Sequence, residues 1–229
     1  MFDLTPAELE ALHLSVKVGL VSMLASLPLG FALAYLLARR EFAGKSLVNG
    51  FVLLPLVLPP VVTGLILLML FGSQGVLGKF FAETFGITFA FRWTGAALAA
   101  AVMGLPLMVR AMRLSIEAVD HRLEFAARTL GAKRWWTFVT ITLPLSLPGV
   151  MAGAILSFAK SFGEFGATIT FVSNIPGETQ TLPIAIYSIL QTPGGDGPAW
   201  RLAIVSVVVS MLAIVGAEWV ERRIRSKST

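Results

Sequence analysis

The chain has 229 residues, of which 56% are hydrophobic and 14% charged, with a mean hydropathy of +0.81 and a formal charge of +5. A water-soluble domain of that length needs far more polar surface, so the composition excludes one and points to a single domain whose outside faces lipid. There is no cysteine, which removes disulfides, thiolate metal sites and cysteine nucleophiles together.

A helix rises about 1.5 Å per residue, so a membrane crossing needs about 20 apolar residues in a row. The N-terminal head carries Asp3, Glu8 and Glu10 in place of basic residues, and the apolar stretch behind it is too long for a signal peptide. The first span covers about 12–38 and stops at Arg39-Arg40; the second covers about 47–71. A loop rich in glycine and phenylalanine leads to the third span, about 93–112, and a polar loop follows over about 113–140. The fourth span covers about 141–162, an external segment about 163–199, and the fifth span about 200–220. Within that external segment, Leu182 to Leu190 is apolar but only half a membrane thick and bracketed by Pro183 and Pro193. It reads as an external or re-entrant helix, or as a buried amphipathic turn.

Most of the basic residues then fall on one side of the five-span arrangement. Arg39, Arg40 and Lys45 lie in the first loop, and Arg110, Arg113, Arg122, Arg128, Lys133 and Arg134 in or beside the third. Arg222, Arg223, Arg225 and Lys227 form the tail. Cytoplasmic loops collect Lys and Arg, so the expectation is an all-α integral membrane protein with its N-terminus outside and its C-terminus in the cytoplasm. The basic balance belongs to that topology and not to nucleic-acid binding.

The 113–140 loop carries the most specific signal. It reads Glu124-Phe125-Ala126-Ala127, three residues, Gly131, nine residues, then Ile141-Thr142-Leu143-Pro144. Two alanines give a short helix a smooth face that lies close against another protein, and Gly131 lets a second helix leave at an angle. Pro144 suits the first turn of the fourth span. The pattern resembles the cytoplasmic loop of permeases in binding-protein-dependent ABC importers, with one departure: Phe125 stands where that family has glutamate, and Glu124 sits one place earlier. The resemblance implies that Glu124, Phe125, Ala126, Ala127, Gly131, Ile141, Leu143 and Pro144 form an elbow that docks in a cleft of an ATPase subunit.

Three further stretches narrow the family. They are Leu53-Leu54-Pro55-Leu56-Val57-Leu58-Pro59-Pro60, the run from Gly163-Glu164-Phe165-Gly166 through Ser173-Asn174-Ile175-Pro176-Gly177-Glu178-Thr179, and Gln191-Thr192-Pro193-Gly194-Gly195. Together they resemble the molybdate permeases, which share a type I importer fold with methionine and maltose permeases; sulfate permeases share the Gly-Glu-Phe-Gly core. The resemblance implies import of molybdate, or tungstate, across a bacterial cytoplasmic membrane, with sulfate or thiosulfate as the alternative cargo. It also implies two copies of this chain, two cytoplasmic ATPase subunits that bind ATP and Mg, and an external molybdate-binding protein. No cofactor or metal is expected on this chain itself.

Prolines and glycines interrupt the spans, with Pro55, Pro59, Pro60, Gly104 and Pro106 as candidate hinges; ordinary helix packing accounts for such residues equally well. Lys160 and Glu164, one turn apart near the outer end of span four, read either as a local ion pair or as part of an anion pathway or gate, with Thr168 and Thr170 following. Lys17 is expected to snorkel to the outer interface. Gly44-Lys45-Ser46 ends like a phosphate-binding loop, but position 39 is arginine where that motif needs glycine. ATP is therefore expected on a partner chain. An intramembrane enzyme is disfavoured because the only histidines are His13, near the outer end of span one, and His121, in the polar loop, and neither lies mid-membrane. A self-contained secondary transporter would need internal repeats and mid-membrane carboxylates, and the sequence has neither.

Overall fold

The computed structural model describes residues 4–225, apart from the side chains of 217 and 219–225, and those residues form helices joined by short links. Asp3 of the acidic head and Lys227 of the basic tail lie outside the described residues. Thr5 and Glu8 begin the first helix by capping each other: Thr5 Oγ1 accepts from the Glu8 N–H at 3.3 Å, and Glu8 Oε2 accepts from the Thr5 N–H at 2.7 Å. Helix α1 (Pro6–Arg39) then runs unbroken through Pro28. At 34 residues it is roughly 50 Å long, well beyond the hydrocarbon thickness of a bilayer.

The expected second span is two helices, α2 (Lys45–Val57) and α3 (Pro60–Phe71), bent by 114° at the break. Pro59 and Pro60 both lack an N–H, and each pushes the residue before it into extended backbone, as seen at Leu58 and Pro59. Pro55, by contrast, sits inside α2 without ending it. A short helix, α4 (Val76–Phe85), occupies the stretch expected to be loop. Its phenylalanines pack with those on either side: the Phe81 ring lies 6.1 Å from that of Phe71 and 5.4 Å from that of Phe89.

Helix α5 (Trp93–Glu117) is the centre of the bundle and extends a turn past the expected span. After α6 (His121–Thr129), α7 (Arg134–Thr137) passes through a π-helical turn (Phe138–Thr142) into α8 (Leu143–Phe162). The fourth span therefore starts seven residues before the expected 141, giving a rod over Arg134–Phe162. The wide turn lies just before Pro144, which has no N–H to close an ordinary helical bond to the preceding turn. The segment 163–199 contains α9 (Gly166–Val172) and α10 (Leu182–Leu190), the latter with the bounds the sequence suggested. Helix α11 (Asp196–Arg225) completes the fold. Among the described residues, four helices or rods are long and apolar enough to cross a membrane, and the bent α2–α3 pair makes a fifth crossing if it counts as one.

Small residues bring α1 and α8 close to α5. Ala96, Ala97, Ala99, Ala100 and Gly104 are buried along it, and α5 packs most extensively against these two helices. A β-carbon at Gly104 would lie 2.5 Å from Ser157 Oγ and 3.1 Å from the Ser157 carbonyl oxygen. Hydroxyls bind the same helices together: Ser22 Oγ lies 2.9 Å from Ser161 Oγ, and Ser161 Oγ donates to the Ala100 carbonyl at 3.2 Å. Where lipid removes the hydrophobic drive between helices, close packing and such bonds hold them together.

Gly104→Val should lower stability by about 1–3 kcal/mol, because α8 must move away from α5. Gly50→Ala, inside α2 with nothing within 4 Å of the new carbon, should raise it by about 0.5–1 kcal/mol, because glycine within a helix costs that much relative to alanine. Thermal unfolding of the two variants in detergent micelles compares them directly.

Candidate functional site

The elbow is built from local backbone chemistry. Asp120 caps α6 by accepting from the Arg122 N–H at 2.8 Å. At the other end Gly131 takes φ +90°, and the Ala132 N–H returns to the Ala127 carbonyl at 3.0 Å. Nothing lies within 4 Å of where a Gly131 side chain would start, so left-handed backbone rather than space demands glycine there. Lys133 then leads directly into α7.

Helical periodicity sorts the side chains of α6 into two faces. Phe125 is 64% exposed, Leu130 89%, and Ala126 is exposed with them. Trp135 and Trp136 on α7 are also exposed, as are Arg122, Arg128 and Arg134. Ala127 is half-buried on the other face. Glu124, expected on the docking surface, also turns inward. Its Oε1 accepts from Arg39 Nη2 at 3.0 Å and from Thr142 Oγ1 at 2.7 Å. Arg39 Nη2 donates as well to the Val119 carbonyl at 3.1 Å, and Nη1 lies 2.9 Å from His121 Nδ1. A cavity of about 260 Å³ opens beside this cluster, between Tyr35, Arg40, Arg128 and Phe138. Ile141 and Leu143 are half-buried in the rod, and Pro144 is exposed.

The second group of expected residues lies where α8 meets α9. Lys160 Nζ bonds Glu164 Oε2 at 2.6 Å, while Glu164 Oε1 accepts from the Ala167 N–H at 3.0 Å. The Glu164 side chain is 1% exposed and Thr168 is buried; Lys160 and Thr170 are half-buried. Thr170 Oγ1 donates to the Gly166 carbonyl at 2.8 Å. This turn rests on the broken span: a β-carbon on Gly166 would be 2.8 Å from Pro60 Cβ, and one on Gly64 would be 2.5 Å from the Ala167 carbonyl oxygen. Among the candidate hinges, Pro59 and Pro60 thus sit at a real break in contact with α9. Gly104 and Pro106 are buried inside the continuous α5.

Sequence reasoning missed three partners. Arg39 read as a stop signal and as one of the basic loop residues, yet it is the cation paired with Glu124. Arg201 Nη2 bonds Glu8 Oε1 at 2.6 Å, joining the start of α11 to the start of α1. Lys17 lies 3.7 Å above the Trp93 ring instead of simply reaching for the interface. No local pattern announces pairs so distant in the chain. Among the described residues no group of acidic, histidine or cysteine side chains is placed to hold a metal.

The profile of the family described as binding-protein-dependent transport system inner membrane component matches residues 26–226. The chain is 56% identical to the molybdenum transport system permease protein ModB of Escherichia coli K12, over 98% of both chains. It is 54% identical to the ModB protein of Haemophilus influenzae, over 96% of both. Identity to the sulfate transport system permease protein CysW of Synechococcus elongatus is 36%, covering 89% of this chain and 72% of that one. Among solved structures, a chain of a bacterial ABC transporter that imports alginate matches with a TM-score of 0.71 at 17% identity, over 96% of this chain and 81% of the other. A chain of the MetNI methionine ABC transporter matches at 0.69 and 16% identity, over 95% and 94%.

Glu164→Ala removes the acceptor of a buried backbone N–H and strands Lys160. The expected cost is about 1–3 kcal/mol, read as a lower unfolding temperature in micelles, whereas Thr170→Val should cost less than about 1 kcal/mol.

Proposed function

The chain belongs to the family of inner-membrane components of binding-protein-dependent transport systems, and from that membership we infer that it is the permease subunit of an ATP-driven molybdate importer. The observation that carries the cargo is the 56% identity to a molybdenum permease over almost the whole of both chains, against 36% to a sulfate permease. The protein is a multi-pass component of the cytoplasmic membrane and works with an ATPase subunit and a substrate-binding protein. Molybdate carries two negative charges. Moving it inward against 100 mV costs about 4.6 kcal/mol at about 2.3 kcal/mol per charge, before any concentration gradient. ATP bound with Mg on the partner subunit supplies that energy.

The reading extends to topology and assembly. The basic residues around α6 support a cytoplasmic elbow, and its exposed Phe125, Leu130 and Trp135 suit insertion into a cleft of the ATPase. Two copies of the chain enclose the pathway between them, with the bent α2–α3 pair and the Lys160 turn toward the external side. The loaded binding protein docks outside, ATP closes the ATPase pair, the elbows move inward and the spans open outward. Hydrolysis resets the bundle. Cargo selection rests mainly with the binding protein, since the Lys160 charge is neutralised by Glu164 and the spans present no cluster of arginines among the described residues.

In proteoliposomes holding this chain with its ATPase and binding protein, molybdate uptake should require ATP, and a hundredfold excess of sulfate should reduce it by less than about twofold. Equal competition by sulfate would reassign the cargo. Phe125→Ala or Leu130→Glu should weaken association with the ATPase by about thirtyfold, as expected for a buried anchor at an interface, measured by retention of the ATPase during co-purification.

A further inference from the structure

Helix α6 has no buried residue of its own. Its backbone packs appreciably only against α7 and the π-helical turn that follow it. Burial of apolar surface therefore does little to fasten the elbow to the end of the bundle, and polar bonds take over that task. The Glu124 carboxylate is central to them. It takes one bond from Arg39, the last residue of α1, and one from Thr142, in the turn that opens into α8. The Arg39 guanidinium, with its side chain 5% exposed, also holds the Val119 carbonyl in the link between α5 and α6. One carboxylate and one guanidinium thus join α1, the end of α5, the elbow and the base of α8.

We propose that the Arg39–Glu124–Thr142 cluster is the joint through which displacement of the elbow is passed to α1 and α8. This goes beyond docking, because docking uses the exposed face of α6 whereas Glu124 and Arg39 lie on the inner one. Neither residue touches cargo or nucleotide; both are positioning residues. With the Arg39 side chain 5% exposed and that of Glu124 21%, the pair is largely withdrawn from water and resists being pulled apart along its axis, so it transmits a displacement that a loose polar loop would absorb. Thr142 ties the same carboxylate to the rod leading to the Lys160 turn, so α1 and α8 move together when the elbow moves. Without the charge on Glu124 the ATPase still closes on the elbow, but the spans no longer follow.

The joint rests on the importer reading, and the reconstituted complex separates the two. In Glu124→Gln the shape and neutral bonds are kept and the charge is lost. ATP hydrolysis should stay within about twofold of the unaltered complex while molybdate delivered per ATP falls by about tenfold or more, in the range of ordinary coupling between sites. The double reversal Arg39→Glu with Glu124→Arg should recover delivery per ATP to within about threefold. Thr142→Val, which removes only the arm to α8, should lower it by about threefold and serves equally if Glu124→Gln does not assemble. Full delivery per ATP in Glu124→Gln and Thr142→Val would overturn the joint and leave the importer reading intact. A parallel fall of hydrolysis and delivery with the amount of assembled complex would show a purely structural pair and also overturn it. If the unaltered complex takes up no molybdate with ATP, the importer reading fails and takes the joint with it.

Discussion

Close approach of α1 and α8 to α5 fixes where every other element can lie. The alanines and glycines on α5 leave no room between backbones, and Ser22, Ser161 and the Ala100 carbonyl link the three helices through their own hydrogen bonds. In lipid these contacts replace the hydrophobic drive that would pack a soluble core. Because the three helices are held together, Arg39 at the end of α1 comes next to Thr142 at the start of α8. Glu124 then has a place in which to bridge them.

Polar groups are placed by the same economy at both ends of the bundle. Glu164 is buried, and its two oxygens are taken by Lys160 and by the first turn of α9. Glu8 holds Arg201 and caps α1. Glu124 holds Arg39 and Thr142. Charges removed from water persist when they are paired and hydrogen-bonded, and the Glu8–Arg201 and Glu124–Arg39 pairs also fasten segments far apart in the chain. The bundle centre is held by packing, and its ends are held by charge.

That division suits a subunit driven from outside itself. A tightly packed centre moves as a unit, while the ends carry the short or broken helices: α6 at one, α3 and α9 at the other. The 114° bend at Pro59-Pro60 leaves α3 packed on α9 rather than in line with α2. The rod α7–α8 leads into the Glu164 turn, and that turn packs directly on α3. The two sides of one short helix differ: Phe125 and Ala126 are left exposed, whereas Glu124 is bonded to Arg39 and Thr142 at the end of the bundle.

The sequence by itself determined the class of protein, the long spans, the elbow with its turning glycine, and the short helix over Leu182–Leu190. Those features are written in composition, in the length of apolar runs, and in residues such as Gly131 whose backbone preference is local. Three things were decided only by tertiary structure. Proline chemistry signals an interruption near Pro59 but not its angle, because the bend depends on what α3 packs against. Helix α4 was hidden because ten residues rich in phenylalanine are too short for a span, and their partners Phe71 and Phe89 lie outside the element. The direction in which Glu124 faces could not be read, because its partners Arg39 and Thr142 are brought to it by the packing of α1 and α8 on α5. Local preference is a property of neighbouring residues, whereas an ion pair across the chain exists only once the helices between its members have been placed.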